Sequence, residues 1–178
     1  MGSGAGSVEM KRKARRPGGF TMFELLLVIA IVGILAAVFL NRVLWYQERA
    51  EKAAMEQVAA VVQSALNLQV AKLAVEGRLA EAGLLTSENP MNWLAQRPSN
   101  YRGEFFDPDD GKVAAGGWYY DLKSHELVYL VELAEHFQPQ EQGGRRVRYR
   151  VKIVYNKDGR DIGGVVVEPV GSYGWFAG

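Results

Sequence analysis

The chain has 178 residues, 48% hydrophobic and 23% charged, with a formal net charge of +1. That length suits one modest domain with an extension, and that charge gives the chain as a whole no pull toward nucleic acid or anionic lipid. There is no cysteine and there are two histidines, which excludes disulfides, thiolate metal sites and a cysteine nucleophile and leaves any metal or acid–base chemistry to carboxylates.

Residues 1–9 (MGSGAGSVE) are small and featureless, and Met10 is the expected true start. Lys11, Arg12, Lys13, Arg15 and Arg16 form a dense basic cluster, and Pro17, Gly18 and Gly19 then interrupt local structure. Phe20-Thr21-Met22-Phe23-Glu24 leads into an unbroken apolar run from Leu25 to Leu40. As a helix, residues 20–40 are about 31 Å long, close to one hydrocarbon core. The run is apolar on every face, unlike an amphipathic surface helix. The basic cluster belongs on the cytoplasmic side, which places the C-terminal part outside.

Three readings compete for this segment. A secretory signal peptide has its small-residue cleavage site after the apolar run, whereas here the glycines precede it. A plain anchor explains the length but leaves Glu24 unexplained, because a carboxylate at the edge of such a segment is costly unless paired. The third reading supplies a partner: cutting after Gly19 creates an α-amino group at Phe20, four residues from Glu24.

Gly19-Phe20-Thr21-Met22-Phe23-Glu24-Leu25, followed by LLVIAIVGILAAV, resembles the prepilin cleavage and methylation motif of type IV pilins and the pseudopilins of type II secretion. The resemblance covers about Lys11 to Ala54. It implies removal of a 1–19 leader by a membrane prepilin peptidase cutting between Gly19 and Phe20, and N-methylation of Phe20. It also implies that Glu24 pairs with the N-terminal amine of a neighbouring subunit in a filament. Gly33 matches a glycine common in the family's helix. Where the family often has proline, this chain has Asn41. The implied partners are other pilin or pseudopilin subunits, the peptidase/methyltransferase, the inner membrane and its assembly platform. No cofactor is implied. The implied route runs from a single-pass inner-membrane protein with a periplasmic head to a pilus or pseudopilus filament.

From Asn41 to Gly77 the helical pattern continues and becomes amphipathic. Ala54, Val58, Val61, Val62, Ala65, Leu66, Leu68 and Leu73 form the expected core stripe, while Glu48, Arg49, Glu51, Lys52, Glu56 and Gln57 form the opposite face. Glu48 and Lys52 have the favourable spacing for an ion pair, and Gly77 is the expected stop. Residues 78–178 form the head. Arg78 to Arg102 reads as a connecting loop holding a short helix capped by Asn89 with Pro90 in its first position. Trp93 in this loop either meets a partner or fills the core. Three or four strands follow: Gly117–Leu122, Leu127–Leu133, Arg146–Tyr155 and Ile162–Glu168, with a turn at Asn156-Lys157-Asp158-Gly159. Gly171–Gly178 reads as a tail. A long helix on an antiparallel sheet is an α+β pilin fold.

Outside the N-terminus, Arg146, Arg148, Arg150 and Lys152 share one strand face. They can bind DNA phosphates or an acidic partner, or they form a solvated face with cross-strand acids such as Glu132 or Glu168. Asp107-Pro108-Asp109-Asp110-Gly111 fails the EF-hand spacing for calcium, and Asp158 and Asp161 read as turn residues. His125 and His136 lack ligand spacing, and no nucleophile motif or P-loop is present. The expected function is therefore structural rather than enzymatic. A minor pilin or pseudopilin leads, because classical major pilins usually carry a disulfide. A DNA-binding minor pilin and a non-polymerising anchored periplasmic binding module are the alternatives.

Overall fold

The computed structural model of the chain describes residues 19–109, 111–139, 144–156 and 162–176. Two compact units divide at Arg42/Val43, inside a helix α1 that runs Met22–Val75. In the first unit, every described side chain from Phe20 to Leu40 is exposed. The segment is long and apolar enough to cross a membrane. Among the described residues nothing covers this apolar surface, which calls for lipid or another helix to cover it.

The head is built on the rest of α1. Met55, Val62 and Leu66 are buried, flanked by half-buried Val58, Ala59, Val70 and Leu73. Ala54, Val61 and Leu68, expected in the core stripe, are exposed, and Glu48, expected on the solvent face, is buried. Val58, Val62, Leu66 and Leu73 keep their expected place, and burial of Glu48, Met55, Ala59 and Val70 in place of Ala54, Val61 and Leu68 turns the inward face by part of one residue step, a step being about 100° on a 3.6-residue helix. Gly77 ends α1 at φ +70°, where Gly77 N–H reaches the Ala74 carbonyl (3.2 Å) and Arg78 N–H the Leu73 carbonyl (2.8 Å). Those two bonds are a Schellman stop.

The expected connecting loop contains two 3-10 helices, Leu79–Thr86 and Pro90–Trp93, which bury Ala82, Leu85 and Met91. The Asn89 side chain accepts the Met91 N–H at 3.0 Å, as its capping role requires. Trp93 is partly buried against the core and donates its indole N–H to Glu88 at 3.1 Å.

The sheet has five strands rather than three or four. These are β1 (Tyr101–Phe105), β2 (Trp118–Asp121), β3 (Glu126–Leu130), β5 (Arg146–Tyr155) and β6 (Ile162–Pro169), in the order β1-β2-β3-β5-β6. All neighbours are antiparallel except β1 and β2. A separate ribbon pairs β4 (Phe137–Gln138) with β7 (Gly174–Trp175), so the expected tail is part of the fold. On the inner face Trp118, Tyr120, Leu127, Tyr129, Val147 and Tyr149 pack with Met55 and Val62 of α1. The alternation along β5 is as expected: Val147, Tyr149 and Val151 are buried, and the cations face the other way. A smaller outer cluster of Val113, Tyr119 and Val128 lies where the chain crosses from β1 to β2.

Candidate processing and assembly site

Two carboxylates on successive turns of α1 hold the loops of the head. Glu48, 2% exposed, accepts the His136 backbone N–H (2.9 Å) and the Trp175 indole N–H (3.0 Å), and its other oxygen lies 2.7 Å from His136 Nδ1. Burial alone pushes the Glu48 carboxyl up. The His136 ring and backbone N–H and the Trp175 indole outweigh it and hold the group below the usual carboxylate range. Glu51 accepts the Tyr129 hydroxyl (3.0 Å) and the backbone N–H groups of Glu132 (2.7 Å) and Leu133 (2.8 Å). Burial, with the Glu51 charge beside it, raises the Tyr129 phenol. The expected Glu48–Lys52 pair does not form: Lys52 lies 3.8 Å from Glu56 and donates to the Trp175 carbonyl at 3.3 Å. Both helix carboxylates serve tertiary structure.

The cationic row on β5 is embedded in acids. Arg150 donates to Glu126 at 2.5 Å, and Arg148 lies 3.8 Å from the second Glu126 oxygen. Lys152 bonds Glu168 at 2.9 Å. Arg146 is half-buried, and burial followed by the neighbouring Arg148 charge lowers its pKa. The cross-strand acids are therefore Glu126 and Glu168 rather than Glu132. Asp107, at φ +46°, pairs with Lys123, and its N–H donates to Asp121. His125 Nδ1 lies 3.4 Å from the Tyr120 hydroxyl. Among the described residues no three His, Asp or Glu side chains are grouped to hold a metal ion. Asp110, Asp158 and Asp161 lie outside the described residues.

At the N-terminus, Gly19 and Phe20 precede the helix in chain with no regular structure, and Phe20 is 73% exposed. Thr21 is the cap of α1: its hydroxyl accepts the Glu24 N–H at 3.2 Å, and its carbonyl accepts the Leu25 N–H at 3.1 Å. Thr21-Met22-Phe23-Glu24 has the spacing of a capping box. Glu24 thereby sits in the first turn, where a carboxylate complements the helix dipole. Among the described residues no cation pairs with it. A methyl group built on Gly19 or on Gly33 meets nothing within 4 Å.

Residues 14–40 match the model of the prokaryotic N-terminal methylation motif. The N-terminus of this chain is type IV pilin-like. No curated protein and no solved structure matches the chain. The motif is that of structural subunits, which interact with other pilins and with a prepilin peptidase, and with the apolar helix it is consistent with membrane anchoring. The fold of the pilin-like chain, a long N-terminal helix followed by a mostly antiparallel sheet, is of the same α+β kind. Sequence reasoning missed Thr21, Glu48, Glu51 and Glu126. For Thr21 the signal was available in the Thr-x-x-Glu spacing. For the three carboxylates there was none, because an acid in an amphipathic pattern reads as solvent-facing.

Proposed function

We propose that this chain is a minor pilin or pseudopilin, a structural subunit of a type IV pilus or of a type II secretion pseudopilus. The carrying observation is an uncovered apolar helix that begins at a capped turn immediately after Gly19-Phe20 and carries Glu24 in that turn. Residues 1–19 are a leader, cut between Gly19 and Phe20. The bond lies outside the helix, in a segment a peptidase can draw into an extended form. Gly19 has open space around it and no left-handed φ, so local structure does not require a glycine there, whereas an external reader of a small residue does. The new amine at Phe20 becomes N-methylated and pairs with Glu24 of a neighbouring subunit.

Residues 20–40 hold the subunit in the inner membrane, with the leader cytoplasmic and the head periplasmic. They then exchange lipid contacts for helix–helix contacts in the filament. Helix packing in such a medium rests on close approach at small residues and on polar pairing. Gly33, uncovered and about 1 kcal/mol less favourable than alanine in a helix, fits a place of close approach. An unpaired buried charge costs several kcal/mol, so the Glu24–amine pair fixes subunit register.

The test is intact mass and N-terminal sequencing after co-expression with a prepilin peptidase. The expected product starts at methylated Phe20. Retention of Lys11–Gly19, where a control prepilin is cut, overturns the proposal and leaves a non-polymerising anchored module.

A further inference from the structure

At the start of the head, Trp45 meets Tyr46 edge-on (centroids 5.0 Å) and Phe176 edge-on (6.1 Å). His136 stacks on the other ring of that group, Phe176, at 5.2 Å with an interplanar angle of 23°. Above them lies the Arg49 guanidinium, 4.2 Å from the Trp45 ring centre and 5.4 Å from that of Phe176. Tyr46 is 59% exposed, and Arg49 is exposed.

Two features define this cluster. Among the described residues no carboxylate pairs with Arg49, and its guanidinium lies over two rings, whereas Arg97, also without a carboxylate, lies over the single ring of Tyr101 and donates to Asn92. The Arg49 charge is held in place by rings, with its donors left to solvent. The cluster also follows the apolar run directly in sequence. Trp45 is five residues after Leu40, so its Cα cannot lie more than about 18 Å from that of Leu40, whatever the backbone.

We propose that Trp45, Tyr46 and Arg49, backed by Phe176 and His136, form a surface that docks on the phospholipid headgroups of the outer leaflet. This rests on the anchored reading of residues 20–40. Indole and phenol rings are favoured at that level because their apolar bodies and polar edges match the gradient from hydrocarbon to water. A guanidinium suits phosphate because its planar donors reach two oxygens at once. Trp45 and Phe176 hold Arg49 in place, which reduces the side-chain freedom lost on binding. The surface thus places the head against the membrane before assembly.

The test uses the full chain reconstituted in vesicles of phosphatidylethanolamine and phosphatidylglycerol. Flotation reports insertion. Tryptophan fluorescence is then read with lipids brominated near the top of the acyl chain, for the native chain, Trp45→Phe and Arg49→Gln, with near-ultraviolet circular dichroism checking that the head stays folded. The expected result is flotation of all three, quenching of the native chain, loss of that quenching in Trp45→Phe and its weakening in Arg49→Gln. Flotation with the same quenching in Trp45→Phe as in the native chain overturns the docking surface and leaves anchoring intact. Unchanged quenching in Arg49→Gln overturns the phosphate contact. Failure of the native chain to float overturns the anchored reading and this surface with it.

Discussion

Glu48 on the helix accepts the indole N–H of Trp175, 127 residues further along the chain, at 3.0 Å. The same carboxylate takes the backbone N–H and lies beside the ring nitrogen of His136. It therefore joins α1 to both strands of the β4–β7 ribbon, because Phe137 of β4 follows His136 and pairs with Trp175. In a head with no cysteine, this buried acid holds the C-terminal end in place.

Glu48→Ala is expected to destabilise the head by about 3 kcal/mol, since the buried Trp175 indole N–H and the His136 N–H lose a charged acceptor. Glu48→Gln keeps one oxygen and is expected to cost less. Denaturant unfolding of the detergent-solubilised chain, followed by tryptophan fluorescence, measures both. Equal stability of Glu48→Ala and the native chain would show that the ribbon is held by other contacts.

The same group sets a pH dependence. The folded-state pKa of Glu48 is lowered despite burial, and that of Asp121 is lowered by the Ser124 hydroxyl and by nearby backbone N–H groups, again against burial. A depressed carboxylate contributes stability above its unfolded pKa, about 4.3 for glutamate and 3.9 for aspartate. That contribution is lost as pH falls through the folded value. The head is therefore expected to be at full strength at neutral pH and to weaken below about pH 4. Glu48→Gln is expected to flatten the curve. Urea midpoints across the acid range decide it: a native curve with no acid limb contradicts this assignment.

Much of this architecture is legible in the residues. The apolar run, the Gly77 stop, the Asn89-Pro90 start and the alternation of β5 each follow from local chemistry. The register of the head's helix does not. Val61 and Val62 are chemically equal, yet the first is exposed and the second buried, because the sheet rather than the helix selects the inward face. β1 also escapes a sequence reading. Tyr101–Phe105 is short, carries two charges and contains Gly103 at φ +110° beside a register shift, and its parallel pairing with β2 depends on a crossover. β4 and β7 are two residues each, below the length at which alternation exists. The N-terminal site is the reverse case: its residues are contiguous, so sequence alone carries it.

The Arg150–Glu126 pair carries a third prediction for the head. Glu126 is 2% exposed, and Arg150 reaches it at 2.5 Å. Arg150→Glu places a second carboxylate against a buried one and is expected to cost about 3 kcal/mol or more. The double change Glu126→Arg, Arg150→Glu is expected to recover part of that loss. Any assay of DNA binding based on Arg148 or Arg150 reversals therefore confounds affinity with folding. Lys152→Glu, at an exposed position, is the cleaner probe. A thermal melt of the single and double variants measures the coupling, and additive losses would contradict a direct pair.

Gln63 of α1 occupies the place of a missing strand beside β6. Its oxygen accepts the Val167 N–H at 2.6 Å, and its nitrogen donates to the Val165 carbonyl at 3.2 Å and to Asn67 at 2.8 Å. β6 is an edge strand. Val165 and Val167 face Ile153 and Val151 across β5, while the Val170 N–H bonds Arg148. Bonds to β5 therefore fall on the even-numbered residues, and the odd-numbered backbone groups point to the free edge. A side-chain amide has the donor and acceptor a neighbouring peptide would supply, so Gln63 caps an edge that otherwise invites strand pairing. Pro169, with no N–H to offer, blunts the same edge further along. Gln63→Ala is expected to lower stability by about 1–2 kcal/mol, to speed hydrogen exchange at the Val167 amide, and to raise self-association. Gln63→Glu keeps the acceptor for Val167 and loses the donor to Val165, so the Val167 amide is expected to stay protected. Hydrogen exchange read by mass spectrometry on a peptide spanning β6 separates the two variants. Identical protection in both would remove Gln63 as the cap of this edge.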